Sequence, residues 1–371
     1  MKSNTFQILS EFKNVAIFHR ELDKIRLLSS KINKVVKFME VCGTHTMQIS
    51  YFGIRKVLPQ NVELISGPGC PVCVTPIEYV DKAIYLLKKY NNIVIATFGD
   101  MFRVPGSESS LEVEKSKGKI VEVVYSPVEV IDIAKRYRNN EVVFLSIGFE
   151  TTMPGISVLL QELKRLKIEN VSLLVGNKFF LPAMRSLLNS LDKFFVNGFI
   201  LPGHLSSIIG SNVYKDIVKN YKIGGVVCGF EPVDIVIGIR TLLEMIGNGN
   251  VSIVNEYSRV VKPEGNIKAK KIISRTFVPT ESLWRGLGWV ADSGAKLTNE
   301  YSFFDAEKRF SIPKNIPTKK QIGCKCAEVI LGKIKPYQCS LFGKVCSPEK
   351  PVGACMVSSE GSCAAYYKYE R

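Results

Sequence analysis

The chain has only three histidines and two tryptophans in 371 residues, and no run of 18 apolar residues. Without such a run, no membrane-spanning helix is expected. Imidazole chemistry is confined to His19, His45 and His204. No block of five or six like charges occurs, so there is no acidic or basic tail. The start, MKSNTFQILSEFKN, lacks the apolar core of a secretory leader. The expected compartment is therefore the cytoplasm, where thiols stay reduced. The glycine-rich loops carry no lysine where a phosphate-binding loop needs one, and no nucleic-acid-binding motif is present.

What is there is a globular composition, 46% apolar and 23% charged. At about 150 residues per domain, this length suggests two or three domains. Lys and Arg number 50 against 34 Asp and Glu, a net charge of +16. That invites a nucleic-acid-binding reading, but residues 35–254 carry only +3 of it. The rest is dispersed over the flanks, densest in the KAKK run at 268–271, which suits a solvated face. A docking surface for acidic partner proteins fits that distribution better than nucleic acid. Ten cysteines in a reducing compartment point to metal ligands or redox groups rather than structural bridges.

Through residues 35–254, short apolar segments alternate with helix-period segments. Strands are expected at 35–41, 62–66, 93–98, 120–125, 142–147, 171–175, 198–201 and 225–228. Helices are expected near 46–57, 76–90, 128–138 and 154–166. The alternation predicts an α/β fold of two parallel-sheet domains of βαβ units flanking a cleft. The first is drawn at 35–99, completed by part of 226–254, and the second at 100–254, with 99–119 as linker. The pattern weakens beyond 254, so 255–371 is assigned to a smaller irregular domain on which 1–34 packs.

Ligands of open parallel sheets bind beyond the carboxyl ends of the strands, and the unusual polar residues lie there. EVCGTHT ends one strand at 40–46, and SGPGCPVCVTP ends another at 66–76. GFETT (148–152), LPGHLS (201–206) and CGFEP (228–232) end three more. Cys70 and Cys73 form a CxxC, the spacing of a redox dithiol or half a metal site. Thr75 and Glu78 read as a capping box with Pro76 at the first helical position. A helix starting there would stabilise a nearby thiolate. Cys42 stands in a polar strand-end loop with Glu40, Thr44, His45 and Thr46, which suits a reactive thiolate or metal ligand. His45 and His204 are candidate proton carriers. Glu150 and Glu231 are candidates for orienting a metal-bound ligand or capping a helix. Cys228, at the end of an apolar strand, reads as a buried thiol, and His19 as an ordinary helical histidine.

Six cysteines fall in the last 48 residues, at 324, 326, 339, 346, 355 and 363. That segment has few large apolar residues and no histidine, so any metal there has thiolate ligands. It has no CxxC pair, against a zinc ribbon. Dispersed thiolates suit an iron–sulfur cluster, with the choice of four ligands among six open on spacing alone.

Taken in order, EVCGTHT, GPGCPVC, GFETT, PGH and CGFEP resemble the HypD family of [NiFe]-hydrogenase maturation factors. The tail resembles it too: Cys324, Cys339, Cys346 and Cys363 match the family's C-x14-C-x6-C-x16-C pattern for a [4Fe–4S] cluster. The resemblance runs from about residue 35 to 363. It implies a scaffold that assembles the Fe(CN)2CO group of the hydrogenase with the chaperone HypC and the cyanide donor HypE. It implies Cys42 as an iron ligand and Cys70 and Cys73 as a redox dithiol. His45, Glu150, Thr151, Thr152 and His204 would surround the cleft, and Cys326 and Cys355 would form a second redox pair. The rival reading is a cluster-linked thiol–disulfide oxidoreductase, which leaves Cys42 and GFETT unexplained.

Overall fold

The computed structural model describes residues 14–190, 196–313, 315–319 and 321–371. Two parallel sheets organise the chain. The first has the order β2-β1-β7-β8-β9, made of Val62–Ser66, Val36–Glu40, Gly198–Pro202, Gly224–Cys228 and Ile253–Asn255. The second has the order β4-β3-β5-β6, made of Ile120–Val124, Ile93–Phe98, Glu141–Ser146 and Val171–Val175. Every strand pairing in both sheets is parallel. Their near-continuous apolar sequences are those of strands covered on both faces. Leu201, Val226, Val143 and Phe144, for instance, are fully buried. The α/β architecture expected from the alternation is present.

The chain visits the sheets in an order that the sequence segmentation did not anticipate. Ile93–Phe98 lies in the second sheet, although it was grouped with the first. Gly198–Pro202 returns to the first sheet, although it was grouped with the second, and Gly224–Cys228 and Ile253–Asn255 follow it there, about where part of 226–254 was expected to complete the first domain. The segment 99–119 links no domains: it holds the helices Gly99–Phe102 and Leu111–Ser116 between β3 and β4 of one sheet. The helix Val15–Ser29 packs on Pro232–Asn248 of the first sheet rather than on the C-terminal segment. Buried Glu21 bridges the two helices through Arg240 at 2.8 Å. The earlier part of that helical pattern, residues 6–13, lies outside the described residues.

Beyond residue 254 the segment expected to be irregular contains an antiparallel hairpin, with β10 at Phe277–Trp284 and β11 at Gly288–Leu297. Phe277, Leu297, Tyr301 and Phe304 join the core of the second sheet. The segment 255–371 therefore divides, and its last fifty residues form a cysteine-rich cap. The closing helix, Ser362–Tyr369, packs against the helix Gly43–Tyr51. Arg55 secures that contact from inside, pairing with Glu40 and, at 2.9 Å, with Glu370, and lying 4.8 Å from the Tyr366 ring centre.

Candidate functional site

Four strands of the first sheet deliver their following loops to one place. β1 leads into Cys42 and the Gly43–Tyr51 helix, and β2 into Gly67–Cys73. β7 leads into His204, and β8 into Gly229–Glu231. This clustering follows from parallel strands, whose carboxyl ends share one edge.

Cys42 is the residue before the first turn of its helix, in extended conformation, and is 1% exposed. Its Sγ lies 4.0 Å from Nδ1 of His204. His45 is fully buried, and its Nε2 donates to the Gly229 carbonyl at 2.8 Å. That bond fixes the tautomer and leaves Nδ1 as a lone pair without a hydrogen-bond partner among the described residues. The Phe230 ring lies against both imidazoles, 4.8 Å from His45 and 5.2 Å from His204, centre to centre. Burial lowers both histidines, His45 to about 4, so both are neutral at pH 7. Burial, and then the nearby Glu360 charge, push the Cys42 thiol up to about 12. Without a bound metal this burial favours the protonated thiol. Glu40 is no part of this group, since its carboxylate faces Arg55 and Ser66.

The CxxC loop is stacked directly on Cys42. The Gly43 amide donates to the Gly69 carbonyl at 3.2 Å. A Cβ on Gly69 would stand 2.2 Å from the Cys42 nitrogen, so only glycine permits the approach. Cys70 and Cys73 are joined in a disulfide, both buried. The expected capping box at Thr75 and Glu78 does not form, since Pro76 precedes the Ile77–Lys89 helix without a side-chain cap. Instead the CxxC makes its own short turn, Pro71–Val74, with Cys70 Sγ accepting from the Cys73 amide at 3.1 Å. Thr75 donates back into that turn, to the Pro71 carbonyl at 2.8 Å.

The GFETT loop ends β5 in the other sheet. Glu150 is buried and caps the helix Phe180–Ser190, accepting the Phe180 amide at 3.1 Å. Burial raises its carboxyl to about 7. Thr151 and Thr152 are half-buried, and among the described residues neither shares a hydrogen bond with Cys42. Tyr214 is a buried phenol whose pKa burial raises first, and both Glu150 and Cys42 are near enough to raise it further. Its hydroxyl lies 3.1 Å from Ser206, on the His204 helix. Glu231 stands just before the Pro232–Asn248 helix, where Asp234 accepts its amide. Cys228 is a buried thiol, as its apolar strand suggested, and His19 is exposed.

All six tail cysteines line one cavity of about 20 Å³, walled by Val329, Leu341, Phe342 and Met356. Cys324 and Cys339 are half-exposed, whereas Cys326 and Cys355 are 5% and 1% exposed. Cys324, Cys326, Cys355 and Cys363 form a run of neighbours, each close enough to perturb the next. A zinc ion draws its ligands to one point, and among the described residues no three His, Cys, Asp or Glu side chains converge in that way. A ring of thiols about a shared space, with no histidine or carboxylate in its lining, fits an iron–sulfur cluster, whose ligands bind separate irons.

Cys355 also lines a second, smaller space, of about 10 Å³, with Cys70, Cys73, Gly43 and Glu360. It thus stands between the tail thiols and the CxxC. Glu360 and Tyr214 escaped the sequence reading. Glu360 Oε1 accepts the Thr44 hydroxyl at 2.5 Å, and burial raises its carboxyl. Its signal was a lone carboxylate between Cys355 and Cys363 in a tail with only four acidic residues. Tyr214 carried none.

Fold and site together define an α/β protein with a buried thiol–imidazole centre, a CxxC disulfide against it and a cap of clustered thiols. A family model described as HypD, hydrogenase formation hypA family, matches residues 16–370. The chain is 44% identical over 356 residues to a putative hydrogenase expression/formation protein of Methanocaldococcus jannaschii, covering 96% of this chain and 98% of that one. It is 40% identical over 349 residues to hydrogenase maturation factor HypD of Escherichia coli, covering 93% and 92%. It is 38% identical over 371 residues to hydrogenase maturation factor HypD of Cupriavidus necator, covering 98% and 97%. The chain belongs to the HypD family of hydrogenase maturation factors. Among the described residues no helix is long and apolar enough to cross a membrane.

Proposed function

We propose that this protein is a scaffold, acting in the cytoplasm, on which the Fe(CN)2CO group of a [NiFe]-hydrogenase is assembled. HypC and HypE are its partners, and redox-active thiols supply electrons. Cys42 holds the iron cargo together with a HypC cysteine. Thiolates suit iron, and the shell of His45, His204 and Phe230 keeps water away while cyanide is added. Ligation lowers the thiol's pKa, so iron entry displaces the Cys42 proton, which the neutral His204 imidazole, 4.0 Å away, can accept. Glu150, Thr151 and Thr152 form the opposite wall. Cys324, Cys339, Cys346 and Cys363 hold a [4Fe–4S] cluster, which supplies single electrons when bound.

The observation that carries the reading is the position of Cys355, which lines both the tail cavity and the space at Cys70–Cys73. Exchange between a Cys326/Cys355 dithiol and the Cys70–Cys73 disulfide transfers two electrons and two protons. It leaves a Cys326–Cys355 disulfide and a Cys70/Cys73 dithiol beside the iron.

Infrared spectra of the protein purified anaerobically with HypC test the scaffold. Bands of iron-bound CN and CO are expected, and Cys42→Ala should abolish them. Their absence from the native protein would favour a plain thiol–disulfide oxidoreductase. Full hydrogenase maturation by Cys70→Ala and Cys73→Ala variants would end the relay part of the proposal.

A further inference from the structure

A cleft of about 620 Å³ opens between the start of the Ile77–Lys89 helix, the carboxyl end of β6 and the β10–β11 hairpin. Its volume is that of a small-molecule site, and strand carboxyl ends are where parallel sheets bind ligands. Cys42 and the tail cysteines take no part in its lining.

Lys178 lies in its wall and, at 3% exposure, is the one buried lysine among the described residues. Its Nζ donates to Ser282 Oγ at 2.6 Å and to the Leu283 carbonyl at 2.8 Å. It also stands 5.1 Å from the Trp284 ring centre. All three partners are uncharged. Burial, with no neighbouring charge to offset it, lowers this amine to about 7. Arg55, by contrast, has Glu40 and Glu370 beside it.

The backbone leaves Lys178 little freedom to turn outward. Its amide donates to the Gly148 carbonyl at 2.9 Å, and the Phe179 amide to Ser293 at 2.8 Å. The Ala295 amide in turn donates to Asn177 at 3.0 Å. An ammonium has three N–H donors, and the protein occupies two. A buried cation without a counter-charge is costly, and this cleft has room for the missing anion. The rest of the wall limits that anion's charge. Lys82 is already paired with Glu307, and although exposed Lys296 adds one positive charge, Glu78, Glu281 and Asp305 would repel a polyanion.

We propose that the cleft binds a small organic monocarboxylate, whose oxygen accepts the remaining N–H of Lys178 and supplies its counter-charge. Trp289, 67% exposed at the cleft, offers an indole face to the body of the ligand. The same hairpin grips the segment after the CxxC, since Arg285 donates to the Val74 and Thr75 carbonyls. A bound carboxylate would therefore steady the CxxC loop as well.

Sodium benzoate is the probe, added to the full chain at pH 7 with sodium chloride at equal ionic strength as control. Benzoate is expected to raise Tm and to shield Lys178, but not exposed Lys268, from acetylation read by peptide mass spectrometry. Lys178→Met should have at least the wild-type Tm without benzoate and bind it at least tenfold more weakly. Shielding on wild-type protein decides the matter if that variant does not fold. No Tm response and no shielding would overturn the proposal, and is also the result expected if the carboxylate comes only from a partner protein's side chain. Equal benzoate affinity in Lys178→Met, the mark of an adventitious additive only, would overturn it too.

Discussion

The carboxylate of Glu360 accepts the Thr44 hydroxyl at 2.5 Å, tying the thiol-rich cap to the first turn of the helix that follows Cys42. Glu360 adds to the burial that holds the Cys42 thiol protonated. Glu360→Gln removes that negative charge, so the Cys42 pKa should fall. Iodoacetamide labelling of Cys42 in the iron-free protein, followed against pH by mass spectrometry, should shift to lower pH. In the native protein Cys42 should label at least tenfold more slowly than half-exposed Cys339. Equal rates would contradict the buried thiol.

Gly69→Ala tests the seating of the CxxC loop on Cys42. The new methyl would stand 2.2 Å from the Cys42 nitrogen and 2.3 Å from its Cα, both backbone atoms that cannot turn aside. Overpacking of this kind costs about 1–3 kcal/mol or more. Tm should fall and Cys42 labelling should speed up, because the loop must lift. An unchanged labelling rate would show that the contact does not shield the thiol.

Glu150 has a carboxyl raised to about 7 by burial, against a reference of 4.5. The folded state therefore binds more protons than the unfolded state between those values, and stability falls as pH rises through that window. The effect is up to a few kcal/mol at about 1.4 kcal/mol per unit. Glu150→Gln keeps an acceptor for the Phe180 amide and removes the titration. Its Tm should gain on wild type between pH 5 and pH 8. A constant difference across that range would show that Glu150 does not titrate there.

Arg55→Met tests how the cap is fastened. It leaves Glu40, which is completely buried, without its cation, and frees Glu370. Breaking one side of a buried ion pair costs about 3–5 kcal/mol. Chemical denaturation should register a loss of that order. Arg55→Lys should recover only part of it, because an ammonium cannot present the planar fork that reaches both carboxylates.

Much of the fold was legible because burial imposes short-range patterns. Strands such as Val62–Ser66, Ile93–Phe98 and Val171–Val175 are covered on both faces, so they appear as apolar runs at the positions expected. The hairpin was not legible. Phe277–Trp284 alternates buried, partly buried and exposed positions irregularly, with a bulge between Thr280 and Ser282, and leaves no clean period of two. The order of strands was hidden as well, since nothing local in Gly198–Pro202 says that it pairs with Val36–Glu40, some 160 residues earlier.

The sequence by itself determined the chemical inventory: Cys42, the CxxC, three histidines and six tail thiols, placed in loops by the βαβ alternation. It also determined the family, because those motifs occur in order along the chain. Tertiary structure alone decided which groups meet. It set His204 against Cys42, Gly69 on the Cys42 backbone, Cys355 between two thiol groups and Glu360 on Thr44. It also buried Cys42, which raises its thiol pKa in a way its polar neighbours in sequence do not show. A pKa answers to burial and to charges in space, and the residues that bury Cys42 come from β2, β7, β8 and the C-terminal cap.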